Sequence, residues 1–227
     1  MKRRSVLPKV LISLVLLICL AAGRLYATAN GDFPPLQDGD LVFQTSTSSQ
    51  SSAILIATAD PYSHMGIVKN DGKAIKVVEA AGTVKETALQ EWINRGLLKR
   101  VAVYRDPDLT QEQAKRILAA ARELYGKPYD IFFSFNNDAI YCSELPYLAY
   151  RAAGLSVGKI QKVSSLHFDN FFVRKLIQQR WQHDSECTSR QFDFEQCYKY
   201  ILDQDLITPA SIANDGKFKK IYSNYPF

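Results

Sequence analysis

Histidine and cysteine are scarce in this chain of 227 residues, which has three of the former and four of the latter. No Cys-x-x-Cys pair occurs, which excludes disulfide-exchange chemistry of that type, and no His/Cys spacing resembles a metal site. A glycine-rich phosphate loop is missing, and the 11 glycines and 9 prolines form no linker that would divide the chain. Internal repeats are absent at any fixed period. Apolar runs also fall short of the roughly 20 residues that a membrane-spanning helix needs. What is left is ordinary globular composition, 47% hydrophobic and 22% charged, with enough length for one well-buried core.

Acidic residues are missing from the first 29 positions, which carry Lys2, Arg3, Arg4, Lys9 and Arg24. A basic head, an apolar run over positions 10–22 broken only by Ser13, and Ala27-Thr28-Ala29 predict a secretory signal peptide. Cleavage after Ala29 then leaves a mature protein from Asn30, periplasmic or secreted. Cys19 follows Ile18 where a lipoprotein cysteine wants a small residue, so lipidation is not expected. Without the leader the formal charge of +5 collapses to 23 basic against 23 acidic residues. No nucleic-acid partner is therefore expected, and no stable membrane insertion once the leader is gone. Three cysteines survive, an odd number in an oxidising compartment. Cys187 and Cys197 are the disulfide candidates, which leaves Cys142 free.

Strand signals fall at 41–43, 64–69, 74–80 and 101–104. The second and third flank Asn70-Asp71-Gly72-Lys73, and Asp-Gly at its centre predicts a hairpin with a two-residue loop. Thr110 and Gln113 form a capping box ahead of an apolar stripe of Ala114, Ile117, Leu118, Ala121 and Leu124, with Gly126 at the end. Thr87 with Gln90 repeats that box before a shorter helix that stops at Gly96, and Asp169 is the expected cap of a helix running to Trp181. The Ser/Thr-rich stretch 45–52 leads into another short helix. The class is α+β, a small antiparallel sheet packed against helices. Residues 30–227 are expected to form a single catalytic domain with a C-terminal helical extension from about 160.

Chemistry concentrates around Cys142. Leu145, Leu148, Ala149 and Ala152 share one helical face, and Pro146 is tolerable only in a first turn, so the helix must start near Cys142. A thiol there feels the positive end of the helix dipole, which favours thiolate. A buried structural cysteine fits the sequence equally well. A nucleophile needs a base, and the mature chain offers His64, His167 and His183. With Asp71-Gly72 as the loop, Val68 faces Ile75 and His64 faces Glu79, so a carboxylate stands beside the imidazole and fixes its tautomer. His167, among Leu166, Phe168, Phe171 and Phe172, reads as a packed core or interface histidine, and His183 as a solvated one.

The segments Gly39-Asp40-Leu41-Val42-Phe43-Gln44, Tyr62-Ser63-His64-Met65-Gly66, Val78-Glu79-Ala80, Gly126-Lys127-Pro128-Tyr129-Asp130 and Tyr141-Cys142-Ser143-Glu144 together resemble the YiiX-like cysteine hydrolases. That family belongs to the NlpC-related enzymes with a circularly permuted papain fold, in which histidine precedes cysteine. The resemblance covers roughly residues 39–154 and implies Cys142 as nucleophile, His64 as general base and Glu79 as the residue that orients it. The Cys142 N–H is the expected oxyanion donor, with Tyr141 or Tyr62 as side-chain help. The resemblance implies amide hydrolysis of peptides, including those of the cell wall; no cofactor or metal is expected. A lipid ester hydrolase or acyltransferase with the same triad, and a non-catalytic binding domain, are the alternatives. An apolar groove, with the aromatic cluster at 131–135 and the Phe171-Phe172 pair as candidate lining, would mark the lipid reading.

Overall fold

A computed structural model describes residues 33–48, 50–135 and 138–226. The expected leader and its cleavage site lie outside the described residues. Six antiparallel strands form one sheet: β1 (Leu41–Gln44), β2 (His64–Asn70), β3 (Ile75–Ala81), β4 (Thr83–Ala88), β5 (Ala102–Arg105) and, from the far end of the chain, β8 (Lys219–Ser223). Their spatial order is β4-β3-β2-β1-β5-β8. Two short strands, β6 (Gln161–Lys162) and β7 (Asp205–Leu206), pair separately.

Alternation along the strands gives the sheet two buried faces. Leu41, Phe43, Met65, Ile67, Val78 and Ala80 pack under α3 (Gln111–Arg122) and α4 (Glu144–Ala152). Val42, Val68, Val77 and Val103 face Trp92 and Ile93 of α2 (Leu89–Arg95). The remaining helices are α1 (Ser51–Thr58), α5 (Phe171–Arg180), α6 (Ser185–Ser189), α7 (Phe194–Leu202) and α8 (Pro209–Ala213). The capping box of α3 is as expected, with the Gln113 N–H donating to Thr110 Oγ1 at 3.2 Å.

Three local expectations need correction. The hairpin loop is four residues, 71–74, because Asp71 Oδ1 accepts from the N–H groups of Lys73 at 2.9 Å and Ala74 at 2.8 Å and so closes an Asx turn. Asn70 therefore faces Ile75, Val68 faces Val77, and the register is shifted by two from the expected one. Thr87 does not cap a helix: it lies in β4, and α2 starts after Ala88 with no side-chain cap. Asn170, one residue beyond Asp169, caps α5 by accepting from Phe172 N–H at 2.9 Å.

Candidate active site

A shift of two residues leaves every side chain of a strand on its original face. His64 and Glu79 thus still share a face, now diagonally, and the register places Gly66 opposite Glu79. The glycine leaves the space across which they meet, since a Cβ there would stand 3.4 Å from Glu79 Cβ and clash with Val77 Cγ1. His64 Nε2–H donates to Glu79 Oε2 at 2.7 Å. Glu79 Oε1 accepts from the Thr87 hydroxyl at 2.5 Å and from the Arg95 guanidinium. Trp92 stacks beside the imidazole, ring centroids 5.9 Å apart and planes inclined by 28°. One stretch, residues 87–95, therefore supplies three groups that fix the His64–Glu79 pair.

Glu79 is fully buried, and burial alone would raise its pKa. The His64 hydrogen bond and charge, with Thr87 and Arg95, outweigh that and hold it below the usual carboxylate range. Burial likewise disfavours the imidazolium, but hydrogen bonds and charge from Cys142 and Glu79 raise His64 to about 9. The pair is built to carry a proton on the ring at neutral pH.

Cys142 lies immediately before Ser143, the N-cap of α4, and Pro146 sits in the first turn as its missing N–H requires. The thiol is buried and outside any disulfide, and it donates to the Ser63 carbonyl at 3.9 Å. It lies close enough to His64 to help hold a proton on the imidazole. With Nε2 committed to Glu79, Nδ1 is the ring nitrogen left for the sulfur. The Cys142 N–H lies one residue ahead of the N-cap, beside the positive end of the helix.

Neither tyrosine expected to help the oxyanion is placed for it. The Tyr62 hydroxyl meets Tyr104 at 3.3 Å within a cluster with Phe43 and Tyr225, and the Tyr141 hydroxyl accepts from Ile207 N–H at 3.1 Å. Tyr129 is the phenol beside the thiol, and burial together with Cys142 pushes its pKa well up. It is held by its own N–H, which donates to Gly82 O at 2.9 Å, and by a bridge to Ile140. Its segment stood among the informative motifs, but no spacing argument linked it to residue 142. His167 is exposed instead of packed, its N–H donating to Ala57 O at 2.9 Å, and His183 is exposed. Cys187 and Cys197 are disulfide-bonded.

Cys142 opens into a pocket lined by Ile54 and Ala57 of α1, Ile131 to Phe133, Val173, Leu176 and Ile177 of α5, and Ile201, with few polar groups. The aromatic stretch after Asp130 does line it, because Asp130 accepts from Phe132 N–H and Ser134 N–H at 2.7 Å each and folds the loop over the site. Phe171 and Phe172 do not: both are about two-thirds exposed, Phe171 at 70% and Phe172 at 67%.

A family model described as "Permuted papain-like amidase enzyme, YaeF/YiiX, C92 family" matches residues 35–222. The chain belongs to this family. YiiX from Escherichia coli (strain K12) is 39% identical over 147 residues, 64% of this chain and 73% of that protein. The crystal structure of "metalloprotein yiiX" from Escherichia coli O157:H7 superimposes with a TM-score of 0.74 at 32% identity, covering 84% of this chain and 98% of that one. As a YaeF/YiiX-type permuted papain-like protein, the chain carries its histidine and carboxylate on the sheet hairpin before the helix that presents the cysteine.

Proposed function

We propose that the protein is a thiol amidase in which Cys142 is the nucleophile, His64 the general base and Glu79 the group that orients and charges the ring. The observation that carries this reading is the buried chain of contacts from the thiol through His64 to Glu79, closed at 2.7 Å. With the Cys142 proton held on His64, the sulfur attacks the amide carbonyl. The C–N bond breaks as His64 passes that proton to the leaving amine, and water, giving a proton to His64, then releases the acyl group as an acid and restores the starting pair. The Cys142 N–H faces the developing oxyanion, and the Tyr129 phenol takes the side-chain role assigned by sequence to Tyr141 or Tyr62.

The apolar lining points to substrates with an apolar group on the acyl side, whether a peptide with a bulky hydrophobic residue, a cell-wall peptide or an N-acyl amine. It also favours a second reading, transfer or hydrolysis of lipid esters by the same residues. One solved relative is described as a metalloprotein. Among the described residues no group of three or more His, Cys, Asp or Glu is placed to hold a metal ion, and His64, Glu79 and Cys142 are committed to one another. Action outside the cytoplasm after cleavage at Ala29 completes the proposal.

The test is a panel of peptide anilides, N-acyl amino-acid amides and aryl esters of increasing acyl length, assayed with the wild type and Cys142→Ala. Hydrolysis of amides that vanishes in the variant supports the amidase reading, and turnover of esters alone moves the second reading forward. Turnover of no substrate, or turnover indifferent to Cys142→Ala, overturns both.

A further inference from the structure

Residues 163–202 form the outer wall of the pocket, yet none of them belongs to either hydrophobic core of the body. The segment carries α5, α6 and α7, and Val173, Leu176 and Ile177 of α5 face the pocket. The first of these is buried. Its two cysteines, each at 0% exposure, are its most completely enclosed side chains.

The internal connections run in one direction. The disulfide ties α6 to α7 across ten residues, and the Phe192 N–H donates to Cys187 O at 3.0 Å beside it. From α7, Glu195 pairs with Arg174 of α5 at 2.6 Å, and Tyr198 lies under the same guanidinium at 4.3 Å. The Tyr198 hydroxyl also donates to Phe168 O at 3.2 Å, just ahead of α5. The Arg174–Glu195 pair is exposed and by itself holds little. The wall helix α5 thus rests on α1 of the body on one side and on α7 on the other, and the covalent bond is the firm point that holds α7.

We infer that residues 163–202 are a disulfide-clasped cap that sets the acyl selectivity of the pocket, with the Cys187–Cys197 bridge standing in for the hydrophobic core the cap lacks. This rests on the reading of Cys142 as a nucleophile opening into an apolar acyl pocket and assigns the determinant of its selectivity. The bridge acts at a distance from the sulfur, so its loss changes which groups are accepted and leaves the thiol's intrinsic reactivity in place.

The experiment measures alkylation of Cys142 in the full chain by N-methyl, N-hexyl and N-dodecyl iodoacetamide, the sulfur displacing iodide in each case. In the wild type the rate constant rises at least tenfold from methyl to hexyl. In Cys187→Ala/Cys197→Ala, shown to be folded by its thermal transition, that ratio falls at least fivefold while the N-methyl rate stays within twofold. If the double variant does not fold, the same ratio is read on folded wild type after reduction of the bridge with a phosphine. A ratio that survives loss of the bridge, including one in which all rates fall together, overturns the inference and leaves the acyl pocket standing. A wild-type series with no chain-length dependence defeats the acyl-pocket reading itself.

Discussion

Glu79 has both carboxylate oxygens engaged and no exposure, so its charge is directed wholly at His64, Thr87 and Arg95. In Glu79→Gln one side of the amide must present an N–H to a donor, and a neutral partner stabilises the imidazolium less. Turnover on the best substrate is expected to fall at least tenfold with the melting temperature changed by only a few degrees; unchanged turnover removes Glu79 from the mechanism. Glu144 tests a different balance. Burial, reinforced by Asp130, raises its pKa to about 8, although the Tyr141 N–H bond pulls the other way. A carboxyl raised above its unfolded value near 4.5 contributes stability that is complete below that value and lost as pH climbs through 8. Glu144→Gln is therefore expected to melt above the wild type by a margin that widens between pH 5 and pH 9, measured by thermal unfolding; a margin constant with pH contradicts it. The His64–Glu79 partnership was legible from the hairpin because an even register error preserves the face. Thr87, Arg95 and Tyr129 were not, since they reach the site through a strand pairing, a helix end and an isolated bridge that no local spacing encodes.

At the scale of elements, the β2–β3 hairpin and the start of α4 carry the site. Gly66 makes the hairpin possible: a Cβ would lie 2.7 Å from the Val78 carbonyl as well as against Val77. Backbone cannot give way as a flexible side chain can, so Gly66→Ala is expected to cost about 1–3 kcal/mol in denaturant unfolding. A stability equal to the wild type would show that the strands separate more easily than their register implies. The sequence marks α3 and α4 well, through a capping box, a clear stripe and a first-turn proline. It conceals β4, where Lys85 and Glu86 interrupt the alternation and only Val84 and Thr87 are buried. It conceals β8 too, since Lys219, Lys220 and three half-buried residues read as surface. Both strands are edges, where fewer side chains need to be apolar.

For the whole molecule, the far end of the chain closes the sheet and is stitched to its middle. Asn224 Oδ1 accepts from Val101 N–H at 2.7 Å, its Nδ2 donates to Lys99 O at 3.1 Å, and its carbonyl accepts from Arg100. Asn224→Ala leaves a buried N–H without a partner and is expected to lower unfolding free energy by about 1–3 kcal/mol. A loss below about 0.5 kcal/mol would mean that water replaces these bonds.

The sequence by itself determined the class of the fold, the helix that presents Cys142, the face shared by His64 and Glu79, and the disulfide candidates. These follow from periods, capping chemistry and parity, which act over a few residues. Tertiary structure alone decided that the Tyr129 phenol stands by the thiol while the Tyr62 and Tyr141 hydroxyls are engaged elsewhere, that Thr87 and Arg95 hold Glu79, and that an apolar pocket walled by residues 163–202 opens at the sulfur. Those outcomes depend on which distant segments come into contact, and the free energy that selects among such contacts comes from burial of the whole chain, not from any one stretch of it.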